Sequence, residues 1–120
     1  MIFIIQNGRF GNQLFQINYV YNLKKKNERV FFIGFNETKE FFLNDKNFFF
    51  INCKFLILRR FKIISYLRKA KLFSLIEENI NGSRIYNHFG LIRNIKFIDG
   101  FFQSENYLNK FFLKTLIDSR

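Results

Sequence analysis

Two glycines, an arginine and a run of amide side chains stand together in Asn7-Gly8-Arg9-Phe10-Gly11-Asn12-Gln13-Leu14-Phe15-Gln16, directly after the apolar run Ile2-Phe3-Ile4-Ile5. That order predicts a short buried strand, a tight turn and the opening of a helix. Backbone N–H groups at a helix start lack partners within the helix, and the dipole adds positive potential there, so such a turn can hold an anion. Arg9 and Asn12 can both donate hydrogen bonds to phosphate or sugar oxygens. The expected role is the phosphate-facing loop of a sugar-nucleotide enzyme. A plain strand-to-helix turn, with Asn12 as helix cap, is the quieter alternative.

The elements that must position this loop alternate along the chain. A strand over Ile2–Gln6 is continuously apolar, as in a parallel sheet covered on both faces. Helical spacing of Leu14, Ile17 and Tyr21 predicts a helix over Asn12–Lys26, and Arg29–Gly34 reads as a second strand, which completes one right-handed βαβ unit. A short helix is expected over Glu37–Asn44 with Asn36 as its cap. Phe48–Leu58 suits a strand or a buried helix equally. Ile63, Leu67, Phe73 and Ile76 predict one helix over Lys62–Glu78, ending at the turn Asn81-Gly82-Ser83. Ile95–Phe102 reads as a strand, and Gln103-Ser104-Glu105-Asn106 as the start of a last helix with Ser104 as its cap. The fold class is therefore α/β, a Rossmann-like parallel sheet with helices on both faces, in one domain spanning residues 1–120.

Composition narrows the function classes. The 120 residues include 20 Phe, no Pro and no Trp, and 48% are apolar, which excludes a disordered chain. The single cysteine, Cys53, rules out an intrachain disulfide and reads as a core thiol in an apolar setting. One His and one Cys cannot build a zinc site, so no metal is expected, and no Ser-His-Asp arrangement is available. There is no basic leader followed by an apolar stretch, and no run long enough to span a bilayer. The expected location is cytoplasmic, with peripheral contact at the inner membrane face. The net charge of +11 invites nucleic-acid or anionic-membrane partners. Its cations are spread, however, with Lys24-Lys25-Lys26 closing a helix and Arg59, Arg60, Lys62, Arg68, Lys69 and Lys71 along another.

Two loop segments are similar to a known family. Gly8-Arg9-Phe10-Gly11-Asn12-Gln13-Leu14-Phe15-Gln16 resembles the opening signature of glycosyltransferase family 11, the α-1,2-fucosyltransferases, and also the corresponding loop of the protein O-fucosyltransferases. Asp99-Gly100-Phe101-Phe102-Gln103-Ser104-Glu105-Asn106-Tyr107-Leu108 resembles that family's later D-G-Y-W-Q-S-E-K-Y-F segment. The resemblance implies the N-terminal domain of a GT-B enzyme that transfers L-fucose from GDP-fucose to a galactoside hydroxyl, without a metal or other cofactor. Gly8, Arg9, Phe10, Gly11 and Asn12 would face the donor, Asn12 touching the diphosphate or fucose, while Gln13 and Gln16 support the loop from behind. Gln103, Ser104 and Glu105 would border the same cleft. Glu105 is the one candidate for catalytic base, although an acid in a first turn also simply stabilises a helix.

One departure limits the expectation. The family's H-x-R-x-G-D signature, whose Arg neutralises the donor phosphates, is absent, and His88-Phe89-Gly90-Leu91-Ile92-Arg93 does not replace it. The chain is therefore read as the N-terminal half, with the C-terminal donor-binding domain absent or supplied by a partner chain, and as inactive alone. A dinucleotide oxidoreductase is a poor rival, because Gly8-x-x-Gly11 lacks the third glycine and no acid follows the second strand. The better alternative is a small basic RNA-binding module, which would need aromatic and basic residues alternating on an open sheet face.

Overall fold

A computed structural model describes residues 1–78, 85–88, 92–100 and 109–118. In chain order the elements are β1 (Ile2–Ile5), α1 (Phe10–Leu23), β2 (Val30–Ile33), a 3-10 turn (Lys39–Phe41), β3 (Phe48–Ile51), α2 (Lys54–Leu58), α3 (Arg60–Ala70), β4 (Phe73–Glu78), β5 (Ile85–His88), β6 (Ile92–Asp99) and α4 (Lys110–Asp118). The strands form one sheet in the order β3-β2-β1-β6-β4-β5. Neighbours among the first five run parallel, and only β5 is antiparallel, against β4. The α/β class and the parallel sheet expected from the sequence are both present, with an antiparallel edge added.

Alternation along each strand divides the apolar side chains between two layers. On one face, Ile2, Ile4, Val30, Phe32, Phe48, Ile76 and Ile98 pack against Ile17 and Val20 of α1 and Phe112 of α4. On the other, Leu75, Phe73 and Phe97 receive Ile64 and Leu67 of α3. A row of rings crosses this second face from strand to strand: Phe49, Phe31, Phe3, Phe97 and Phe73, with centroids 4.9–5.5 Å apart. Helices thus cover both faces, and the excess of Phe is largely structural.

Several expectations need correction. The helix predicted over Lys62–Glu78 is two elements, because α3 closes at Lys71, whose φ of +53° is left-handed, and the chain re-enters the sheet as β4. The spacing of Ile63, Leu67, Phe73 and Ile76 imitated one helix only because β4 is buried on both faces. Glu37–Asn44 holds a single tight turn, closed by Phe41 N–H to Thr38 O and Phe42 N–H to Lys39 O. The ambiguous Phe48–Leu58 holds the strand β3 followed by the short helix α2, which buries none of its residues and so is not the buried helix considered. Cys53 is half-exposed between them, not a core thiol. The last described helix starts at Lys110 and is capped by the Asn109 side chain, which accepts from the Phe111 and Phe112 N–H groups at 2.9 and 3.2 Å. The helix start expected over Gln103-Ser104-Glu105-Asn106, with Ser104 as its cap, and the Asn81-Gly82-Ser83 turn lie outside the described residues.

Candidate functional site

The turn between β1 and α1 is fastened from behind by two buried glutamines. Gln16 Nε2 donates to Ile5 O at 3.3 Å, and Gln16 Oε1 accepts from Asn7 N–H at 3.0 Å. Gln13 Nε2 donates to Gly8 O at 3.2 Å, while the buried Thr38 hydroxyl donates to Gln13 Oε1 at 3.1 Å. Buried carboxamides must find partners, and here their partners are the backbone of the turn itself. The support expected of Gln13 and Gln16 is therefore present.

With its back held, the turn presents Gly8, Arg9, Phe10 and Gly11 to solvent. Gly8 has a φ of +84°, and a Cβ there would collide with the Asn12 side-chain amide, which folds over it. The helix begins at Phe10, so Arg9 occupies the cap position in extended conformation, and Asn12 lies inside the first turn. The alternative role of Asn12 as helix cap is thereby overturned. A Cβ on Gly11 would meet nothing within 4 Å. At the helix start, Phe10 N–H donates to Glu37 Oε2 at 3.2 Å, so a carboxylate oxygen of the chain sits where an external oxyanion would.

A second set of polar groups lies beside this turn at the carboxyl ends of β1, β2 and β3. Gly34 and Phe35 both have left-handed backbone, with φ of +93° and +61°, and a buried aromatic in that conformation is strained. Gln6 Oε1 holds the strained corner by accepting from Phe35 N–H at 2.7 Å. Next to it opens a cavity of about 250 Å³ lined by Gln6, Asn36, Asn52, Lys54, Ile57 and Leu58. Three carboxamides and an ammonium can bind hydroxyls and an anionic group, with two aliphatic side chains as a wall.

The third part is at the end of β6. Ile98 pairs with Ile4, so Asp99 ends its strand beside the end of β1. Asp99 makes an ion pair with Arg60 of α3. In the register of β4 it sits beside Glu77, which is bound in turn by Arg68. Burial pushes the Asp99 carboxyl up, with Glu77 adding to the rise and Arg60 opposing it. Gln103, Ser104 and Glu105 lie outside the described residues. Among the described residues no cluster of His, Cys, Asp and Glu could hold a metal ion.

Gln6, Glu37, Thr38, Asn52 and Lys54 carry no local sequence signal for a site. They reach it because β2 and β3 end at the same sheet edge as β1. Comparison of the chain with protein-family models, curated proteins and solved structures found no match.

Proposed function

We propose that this chain forms the N-terminal, Rossmann-like half of a GT-B fucosyltransferase that moves L-fucose from GDP-fucose to a galactoside hydroxyl, with no metal. The observation that carries the reading is the turn that opens at Gly8, exposed over residues 8–11 at the carboxyl end of a central parallel strand, braced from behind by Gln13 and Gln16 and met at its front only by the Glu37 carboxylate. Ligands of open parallel sheets bind at that edge. Arg9 supplies a cation there, and the Asn12 amide lies in the same turn. The open space above Gly11, in a helical turn where Ala would be favoured by about 1 kcal/mol, leaves room for a bulky group to approach the backbone. Glu37 marks the oxyanion seat, and the donor's diphosphate takes its place. The remaining phosphate charge would be met by a C-terminal domain or a partner chain, so this half binds the donor weakly.

The test is titration of the full chain with GDP-fucose, followed by backbone amide shifts. Millimolar binding with shifts confined to Asn7–Gln13 and Glu37 is expected, and Asn12→Ala should weaken it about tenfold, the cost of one good hydrogen bond to a charged group. Shifts that avoid this turn, or an Asn12→Ala variant that binds equally well, would remove the assignment.

A further inference from the structure

The helical segment that follows β3 divides its side chains in an unusual way. On α3, Arg60, Ile64 and Leu67 point into the protein, while Phe61, Lys62, Ser65, Tyr66 and Lys69 line one outer surface. Phe61 is 78% exposed and Tyr66 71%; on the preceding α2, Phe55 is 61% and Leu58 83% exposed. Side chains of this size seldom stand so far into water in one stretch unless something covers them.

The charge around them has one sign. Between Lys46 and Ile76 there is no Asp or Glu, and residues 54–71 carry Lys54, Arg59, Arg60, Lys62, Arg68, Lys69 and Lys71. Arg60 and Arg68 are engaged by Asp99 and Glu77. Lys54, Arg59, Lys62, Lys69 and Lys71 make no ion pair among the described residues. The Arg59 guanidinium lies over the Phe55 ring, 4.6 Å from its centroid, and Arg60 over Phe61 at 4.4 Å. Cations are thus set directly beside protruding rings.

We infer that α2 and α3 dock this protein on an anionic lipid surface. Rings and a leucine interleaved with lysines match the boundary between acyl chains and headgroups. There the apolar tips insert while the long basic side chains reach the phosphates. No helix among the described residues is long and apolar enough to cross a membrane, so the contact is one of lying on the surface. A nucleic acid would use the cations and the flat rings but gives no place for Leu58. The inference does not depend on the transferase reading.

Sucrose-loaded vesicles of phosphatidylcholine alone, and of phosphatidylcholine with phosphatidylglycerol, distinguish the cases by co-sedimentation with the full chain. Binding should require the anionic lipid and weaken as salt is raised. Lys62→Glu with Lys69→Glu should reduce partitioning at least about 25-fold, taking roughly fivefold per cation lost. Phe61→Ser with Tyr66→Ser should reduce it about tenfold or more, the loss of two inserted rings. Both pairs are solvent-exposed, so the melting temperature should fall by no more than the loss of the Arg60–Phe61 contact accounts for, and Phe111→Ser on α4 should bind as the parent does. Equal binding to neutral vesicles, an unaltered Phe61→Ser/Tyr66→Ser variant, or preference for single-stranded RNA over vesicles at the same salt would each overturn the inference.

Discussion

Gln16 bears more of the site than any exposed residue of the turn. Its carboxamide binds two backbone groups at the end of β1, Ile5 O and the Asn7 N–H that leads into the turn. Gln16→Leu keeps the volume and removes both partners, so stability should fall by roughly 1–3 kcal/mol in urea denaturation, the penalty for leaving the buried Ile5 O unsatisfied. A fall below about 1 kcal/mol would mean that water enters and takes over the role. Gln6 and Thr38 act in the same manner across a longer span, tying the ends of β1, α1 and β2 into one body. Part of this was legible from residue types: glycine, arginine and amide side chains after an apolar strand pointed to the right turn. The partners from β2 and β3 were not, because nothing in a linear pattern states which strand ends share an edge.

At the level of elements, α1 and α4 share a face of the sheet, and the join is aromatic. Phe112 stacks on Phe42 at 5.8 Å and meets Tyr21 edge-on at 6.0 Å. Phe112→Ala should therefore cost about 3 kcal/mol. Hydrogen exchange should show the loss concentrated in α4, since few other side chains of that helix are buried. The neighbouring Phe111→Ala, which is exposed, should change little. The first βαβ unit was readable because its strands are apolar runs and Leu14, Ile17 and Tyr21 between them recur at helical spacing. The α3–β4 boundary was not, because a strand buried on both faces carries no alternation and continued the helical spacing by coincidence. A left-handed Lys71, the one local signal of the break, is invisible in composition.

For the whole molecule, the start of the chain is tied by charge to β6, which follows it by some ninety residues. Glu28 Oε2 accepts from the Met1 amino group at 3.0 Å and faces Lys96 Nζ of β6 at 3.6 Å, while Oε1 accepts from Lys25 N–H at 3.0 Å. Burial opposes ionisation of this carboxyl, but the Lys25 N–H, the amino group and Lys96 together hold it below its ordinary value of 4.5. A depressed carboxyl contributes stability that is complete above the unfolded value and disappears as pH drops through the folded one. Acid melts should therefore show a loss beginning near pH 4.5 that Glu28→Gln reduces. An unchanged slope in that variant would place the acid lability elsewhere.

The position of β6 has a consequence for how this protein is made. Ile98 lies between Ile4 and Ile76, so the strand that completes the middle of the sheet leaves the ribosome after the two it separates. Until then the β1 half and the β4 half each present an unpaired inner edge, with residues nearly a chain length apart still to meet. Such late, long-range pairing is slow and leaves apolar edges open to other chains. Nascent copies should depend on holding chaperones until β6 slots into place.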